Sequence, residues 1–529
     1  MSNPDEYARQ QALVAALVSE RPFPHAAKTV RVVETHISWV LLAGAYAYKI
    51  KKAVDLGFLD FSGLGLRRMY CEEEIRLNRR LAPSIYLDVI AIGGEPGRPG
   101  IGGQPVIEYA VRMRRFAQTR QLDRLLARGK LTAGIIDKLA ATLAAFHGRI
   151  PHALPDTGMG SPVAVIAAAM QNFEQLQSLL VASRDRETLA ALMLTTQTES
   201  VACAAFFAQR RALGFVRECH GDLHLGNIVL LDEQPVPFDG IEFDPALRWI
   251  DVFSEVAFPM MDLLYRRRPD LAYRFLNGWL EETGDHAGLA ILRFYLAYRA
   301  VVRAKVNAIR ADQSSHEYRT GLAACRGYLA LAQECLVARR ALLVTHGLPG
   351  SGKSTFALAA EGRLQAIRIR SDVERKRMFG MQPLQQSRPG EVAEVYGADA
   401  TRRTYERLLE LARAILEAGF PVIVDAAFIM QEEREKFRLL ALELQVPFAI
   451  VSMQAGEAVL HARIRQRQAS ADDPSEAGIE VLEKLQVSRQ PLTRQELACT
   501  VEMQNDCDGI IADASKWQEL DRVLGGRKA

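Results

Sequence analysis

The stretch ALLVTHGLPGSGKST, residues 341–355, constrains this 529-residue chain more than any other. A short, mostly apolar run leads into a glycine-rich loop, and a helical pattern follows. Gly347, Gly350, Ser351, Gly352, Lys353 and Ser354 satisfy GxxxxGK[ST] in the strand-to-helix setting that the pattern requires. Glycines there let backbone N–H groups converge on a phosphate at a helix N-terminus. Lys353 is the expected partner of the β and γ phosphate oxygens, and Ser354, with Thr355 beside it, is placed to ligand Mg²⁺.

Downstream, PVIVDAAF (421–428) and PFAIVSM (447–453) alternate with the helical TRRTYERLLELARAILEAG (401–419), the pattern of an α/β domain with a parallel sheet. Asp425 closes an apolar run, where an acid would sit near Mg²⁺, and no second acid follows it as in many motor ATPases. Asp372 follows a short strand in RIRSDVERKRMFG, and Arg463 and Arg467 lie four apart on one helical face in HARIRQRQ. The plainer readings are a helix cap for Asp372 and a solvated helix face for the arginines.

Over roughly 340–515 these features resemble P-loop kinases of the gluconate kinase, polynucleotide kinase and zeta-toxin type. The resemblance implies that Asp372 is the general base and that Arg463 and Arg467 screen charge on the transferring phosphoryl group.

A chain this long exceeds one hydrophobic core, so two or three domains are expected. Sixty-six basic against 63 acidic residues argue against a nucleic-acid partner. Seven scattered Cys (71, 203, 219, 325, 335, 499, 507) form no CxxC pair, which reads as a reduced, cytoplasmic chain. The N-terminus lacks a basic segment followed by an apolar one, and no run reaches the roughly 18 uninterrupted apolar residues of a membrane span.

Upstream, Val30 to Leu59 is strand-like with a break at Gly44, and a helix is expected from Leu66 to Leu81. SIYLDVIAIGG and QPVIEYAVRMRRF read as two strands around the turn EPGRPGIGG. Long amphipathic helices then run from about Thr119 to Arg217.

Next comes CHGDLHLGN, residues 219–227. A zinc site on Cys219, His220 and His224 would want helical i,i+4 convergence, which Gly221 and Gly226 break. Phosphoryl transfer explains more of the residues. It needs an acid to take the acceptor's proton and an amide plus a second carboxylate for Mg²⁺; Asp222, Asn227 and Asp239 have that H-x-D-x-x-x-x-N…D spacing. Such chemistry also wants a strand lysine and a helix acid. Lys49 and Lys51 share one strand face, so either could serve, and among Glu72, Glu73 and Glu74 the last shares a stripe with Tyr70, Leu77 and Leu81.

Residues about 26–336 resemble the aminoglycoside phosphotransferase family, relatives of protein kinases. The whole chain resembles bacterial two-domain proteins that fuse such a kinase to a P-loop ATP-binding domain. The resemblance implies an α+β protein-kinase-like bilobal domain followed by an α/β P-loop NTPase domain: a helical lead (1–25), a kinase-like domain (26–337, lobes dividing near 112) and a P-loop domain (338–529). It implies Asp222 as base, His220 as loop brace, Asn227 and Asp239 as Mg²⁺ ligands, Lys49 rather than Lys51 on the phosphates with Glu74 as partner, and Val106–Met113 as the adenine hinge. No GxGxxG loop covers the phosphates.

The expected function is a bifunctional ATP-dependent phosphotransferase using ATP and Mg²⁺ on small-molecule acceptors. The alternatives are a single kinase regulated by a nucleotide-sensing P-loop module, and a nucleic-acid end kinase. His147 and Cys219 are expected to pack structurally, Asp251 and Glu255 to brace the catalytic loop, and His346 and Arg368 have no assigned role.

Overall fold

A computed structural model of the chain describes residues 4–57, 59–313, 318–387, 392–470, 474–506 and 513–525; Cys507 lies outside the described residues. By compactness the chain divides into two units, 1–164 with 210–259, and 165–209 with 260–529.

The first unit is built on six antiparallel strands: β1 (Val30–Glu34), β2 (Ser38–Ala43), β3 (Tyr46–Lys51), β4 (Tyr86–Glu95), β5 (Arg98–Ile101) and β6 (Val106–Arg114), in the order β1-β2-β3-β6-β4-β5. Gly44, at φ +57°, turns β2 into β3, a conformation that costs glycine little. The segment expected as a plain turn holds the short strand β5, since the reversal is confined to Pro96 and Gly97 and Glu95 pairs with Arg98.

Alternation along β3 sends Tyr48 and Ile50 into a core shared with Leu13, Val14 and Leu17 of the helix Pro4–Glu20. Lys49 and Lys51 therefore face the other way, toward the helix Leu64–Asn78. Below the sheet come the helix Ala133–Arg149 and four short strands, β7 (Val216–Glu218), β8 (Ile228–Leu231), β9 (Gln234–Pro237) and β10 (Trp249–Asp251). β8 and β9 form a hairpin whose two turn residues, Asp232 and Glu233, both have positive φ, as a tight turn between twisted strands requires.

The second unit contains a five-stranded parallel sheet: β11 (Leu342–His346), β12 (Ile367–Arg370), β13 (Val422–Asp425), β14 (Phe448–Gln454) and β15 (Thr500–Gln504), ordered β12-β13-β11-β14-β15. Every residue of β11 and β13 is buried, as expected for strands covered on both faces. The chain leaves the central strand β11 for the glycine-rich loop at the point where strand order reverses, the place such sheets present to ligands.

The helices Pro269–Thr283, Leu289–Gln313 and Tyr318–Leu336 belong to this unit as well. The helix Ser183–Ala212 is long and apolar enough, by length and composition, to cross a membrane. Its Asp185 and Glu199 accept from Arg326 and Arg293 of the neighbouring helices.

Candidate functional site

In the first unit five charged side chains form one line. Glu242 pairs with Lys51, Lys51 Nζ lies 2.7 Å from Glu74 Oε2, Glu74 Oε1 accepts from Lys49 Nζ at 2.9 Å, and Lys49 Nζ reaches Asp239 Oδ1 at 2.7 Å. Glu74 is fully buried, whereas Glu72 is exposed and Glu73 is engaged by Arg76 and Arg248. The line ends on Asp239, whose side chain is 46% exposed.

Alternating charges explain how this burial is tolerated, since a buried ion survives only when paired. Burial alone would strip the proton from Lys49, but Asp239 and Glu74 outweigh it and hold its pKa well above the ordinary value. Burial raises the Asp239 and Glu74 carboxyls and the lysines overcome it, so both are held below the usual range. Lys51, wedged between Glu74 and Glu242, is only 1% exposed and has no path to a ligand.

Asp239 is held by β4 and by the end of the helix Leu64–Asn78. Its N–H donates to the Tyr86 hydroxyl at 3.0 Å, and the next N–H, of Gly240, donates to Asn78 Oδ1 at 2.8 Å. Asn227 Nδ2 donates to the Asp222 carbonyl at 2.9 Å and to Asp222 Oδ2 at 3.2 Å, which leaves the amide oxygen as the atom able to ligand a metal. His220 Nε2 donates to the Phe238 carbonyl at 2.9 Å, tying the loop of Asp222 to the strand end that carries Asp239.

His224 lies beside the acid, with its Nε2 3.7 Å from Asp222 Oδ2. His224 Nδ1 accepts from Gly226 N–H at 3.0 Å and caps the turn that presents Asn227. Cys219, His147 and Glu255 lie close together and buried, but Glu255 already accepts from His147 Nε2 and from the N–H groups of His220 and Gly221. Burial pushes Glu255 up, and His147 above all brings it down to about 2. Asp251 is bound by Arg210 at 2.7 Å.

In the second unit the loop after β11 depends on its glycines. A Cβ on Gly347 would lie 2.3 Å from the Met453 carbonyl, and Gly350 and Gly352 have φ of +81° and +98°. Ser351 is buried, Ser354 is half-buried and Thr355 is exposed at the start of the helix Lys353–Leu364. Lys353 Nζ donates to the Leu348 carbonyl at 2.9 Å. Desolvation lowers its pKa to about 8, against the pull of Asp425 and Asp372, so both acids lie within electrostatic reach of the ammonium.

Asp372 is the second residue of the helix Ser371–Met378, inside its first turn rather than at its cap. Arg463 Nη1 donates to the Asn505 carbonyl at 3.0 Å and lies 3.4 Å from the Gly350 carbonyl; Arg467 donates to the Ala477 carbonyl and bears electrostatically on Lys353. Asp425 is buried, and its Oδ2 has no hydrogen-bond donor, which fits a carboxylate kept for a cation. His346 shares a hydrogen bond with Ser452 Oγ at 2.9 Å, its buried Nε2 has no hydrogen-bond partner, and burial brings its pKa down to about 3.

Three polar residues of these sites escaped the sequence reading. Glu242 carried a signal, an acid inside the apolar run VPFDGIEF. Arg370 did too, as a cation closing a strand opposite Asp425, with which it is in register. Asn505, whose Nδ2 holds the Ser351 carbonyl at 2.8 Å, had no local signal.

Comparison with known proteins follows the same division. Residues 342–492 match the family described as AAA domain. An uncharacterized protein of Mycobacterium tuberculosis is 30% identical over 457 residues, covering 86% of this chain and 89% of that protein. The chain belongs to its family. A match over 457 of 529 residues includes sequence on both sides of the glycine-rich loop, so the relative shares both parts of the chain.

Among solved structures, the chain is similar to a choline/ethanolamine kinase family protein from Mesorhizobium loti, with 11% identity, 61% of this chain and 99% of that one covered, and a TM-score of 0.36. It is also similar to a gluconokinase from Sinorhizobium meliloti, with 20% identity, 35% and 91% covered, and a TM-score of 0.24. The chain joins a unit built on a six-stranded antiparallel sheet to one with a five-stranded parallel sheet, in which residues 342–492 match the AAA domain family.

Proposed function

We propose that the chain is a bifunctional ATP-dependent phosphotransferase, with one site around Asp222 and Asp239 and a second around Lys353, each acting on a hydroxyl or amine of a small molecule. The observation that carries the reading is the bridging of Glu74 and Asp239 by Lys49, which sets a phosphate-binding cation beside a metal-binding acid. Near balance of basic and acidic residues argues against a nucleic-acid acceptor.

In the first site Asp222 takes the acceptor proton as the acceptor oxygen bonds to the γ-phosphorus and the bond to the ADP oxygen breaks. Lys49 binds the α and β phosphates, and Glu74 keeps it oriented. Asn227 and Asp239 would hold Mg²⁺. In the second site Asp372 is the base, Lys353 and the loop amides bind phosphate, Arg463 and Arg467 face the transferred group, and Ser354 and Asp425 would hold Mg²⁺. Mg²⁺, when bound with ATP, neutralises the phosphate charge that develops during transfer.

Asp372→Ala separates this reading from a P-loop half that only senses nucleotide. An enzyme loses the Lys353-dependent products and keeps its nucleotide affinity, whereas a sensor has no such products to lose.

A further inference from the structure

The parallel sheet brings the ends of β14 and β15 beside the glycine-rich loop, and Asn505, the residue that follows β15, touches that loop. Asn505 is 8% exposed. Its N–H donates to the Gln454 carbonyl at 2.7 Å, which carries the β14–β15 pairing one residue past the strand. Its carbonyl accepts from Arg463 Nη1 at 3.0 Å, and one position on, Asp506 Oδ1 accepts from the Gly456 N–H at 2.6 Å. The backbone of Asn505 is thus tied on both sides, and the side chain leaves it from a fixed place.

That side chain meets the loop at one point. Asn505 Nδ2 donates to the Ser351 carbonyl at 2.8 Å. Ser351 is 1% exposed, so its carbonyl must find a donor within the protein. The helix Lys353–Leu364 does not supply one, because its ladder begins a residue later, where the Phe356 N–H donates to the Gly352 carbonyl at 3.0 Å. Gly352 lets the amide come close: its φ is +98°, and a Cβ there would overlap Asn505 Nδ2.

The consequence lies in the peptide that joins Ser351 to Gly352. In a planar trans peptide the C=O of one residue and the N–H of the next point in opposite directions. Holding the Ser351 carbonyl on Asn505 therefore turns the Gly352 N–H away from Asn505. Among the described residues that N–H has no acceptor, whereas the Ser351 N–H donates to the Leu348 carbonyl at 3.2 Å. Unpaired loop amides are what a phosphate-binding loop presents to its ligand.

We propose that Asn505 is a positioning residue for the P-loop site: by holding the Ser351 carbonyl it aims the Gly352 N–H at the phosphates of the bound nucleotide. The inference rests on the reading of residues 347–354 as a phosphate loop. Asn505 needs no contact with the nucleotide. It acts through one peptide plane and supplies direction without adding charge.

The test uses the full chain carrying Lys49→Ala, which removes the proposed phosphate cation of the first unit, and reads ADP affinity by calorimetry. In that background Asn505→Ala is expected to weaken ADP binding by about tenfold, and to weaken inorganic pyrophosphate, measured by displacement of ADP, by the same factor. An unchanged ADP affinity overturns the proposal, even if stability in urea falls, because a residue that only supports the fold leaves the affinity of the folded chain unmoved. A loss confined to ADP overturns it too, since the effect would then lie at the nucleoside. Should Asn505→Ala fail to fold, Asn505→Ser, too short to reach the Ser351 carbonyl, must show the same loss with both ligands; no loss overturns the role. If Lys353→Ala leaves ADP affinity intact in this background, the phosphate-loop reading itself falls, and the proposal with it. If Lys353→Ala weakens ADP and Asn505→Ala does not, the proposal alone falls.

Discussion

Lys49 donates to Asp239, 190 residues away in the chain, across 2.7 Å. The cation proposed for the nucleotide phosphates and the acid proposed for the metal thus neutralise each other in the free protein. On the proposed roles, nucleotide competes with Asp239 for Lys49, and metal competes with Lys49 for Asp239.

Metal and nucleotide should therefore bind the first unit with positive coupling. In the Lys353→Ala chain, calorimetry should show ADP affinity rising with Mg²⁺ by at least about tenfold. Affinities for ADP and Mg²⁺ that are independent of one another would count against the exchange.

The two lysines of β3 should differ in kind. Lys49→Ala removes the proposed phosphate contact and should lower turnover at the first site by about 10²–10³-fold, with the fold kept because Lys51 still pairs with Glu74. Lys51→Met strands the buried Glu242 and leaves Glu74 on Lys49 alone, and should cost about 3–5 kcal/mol of stability, read by urea denaturation. The reverse pattern would exchange the two assignments.

Nucleotide affinity at the P-loop should depend on pH in a defined direction. Burial lowers Lys353 from its ordinary 10.5 to about 8, so the free protein loses this ammonium proton as pH passes 8. Phosphate binds the protonated form, so affinity should fall above pH 8, by up to about tenfold per unit, with proton uptake on binding. A Lys49→Ala chain with a flat affinity from pH 7 to 9.5 would refute this.

The brace behind the loop of Asp222 should appear in acid stability. The Glu255 pKa falls from 4.5 to about 2 on folding, so its stabilisation is complete above pH 4.5 and is lost as pH drops through 2. At neutral pH that difference is worth about 3 kcal/mol. Glu255→Gln should lose a comparable amount at pH 7 and flatten the acid limb of the stability curve.

How much of this was legible in the sequence depended on the distance over which each residue is determined. Local periodicity singled out Glu74 among three acids and placed both lysines on one strand face, because alternation and helical stripes are properties of neighbours. It had no means of choosing between Lys49 and Lys51, since the deciding partners, Asp239 and Glu242, lie on a distant loop. The P-loop was legible because its backbone demands glycine at fixed spacing. Asn505 was not, because a polar residue just past a strand looks solvated until the loop it meets is known.

The most direct test of a two-site enzyme is product analysis of a pooled hydroxy and amino metabolite library with Mg·ATP, using wild type, Asp222→Ala, Lys353→Ala and the double variant. Two independent phosphotransferases predict that each single variant loses a different set of phosphorylated products and that the double variant makes none. A full product set from both single variants would contradict it.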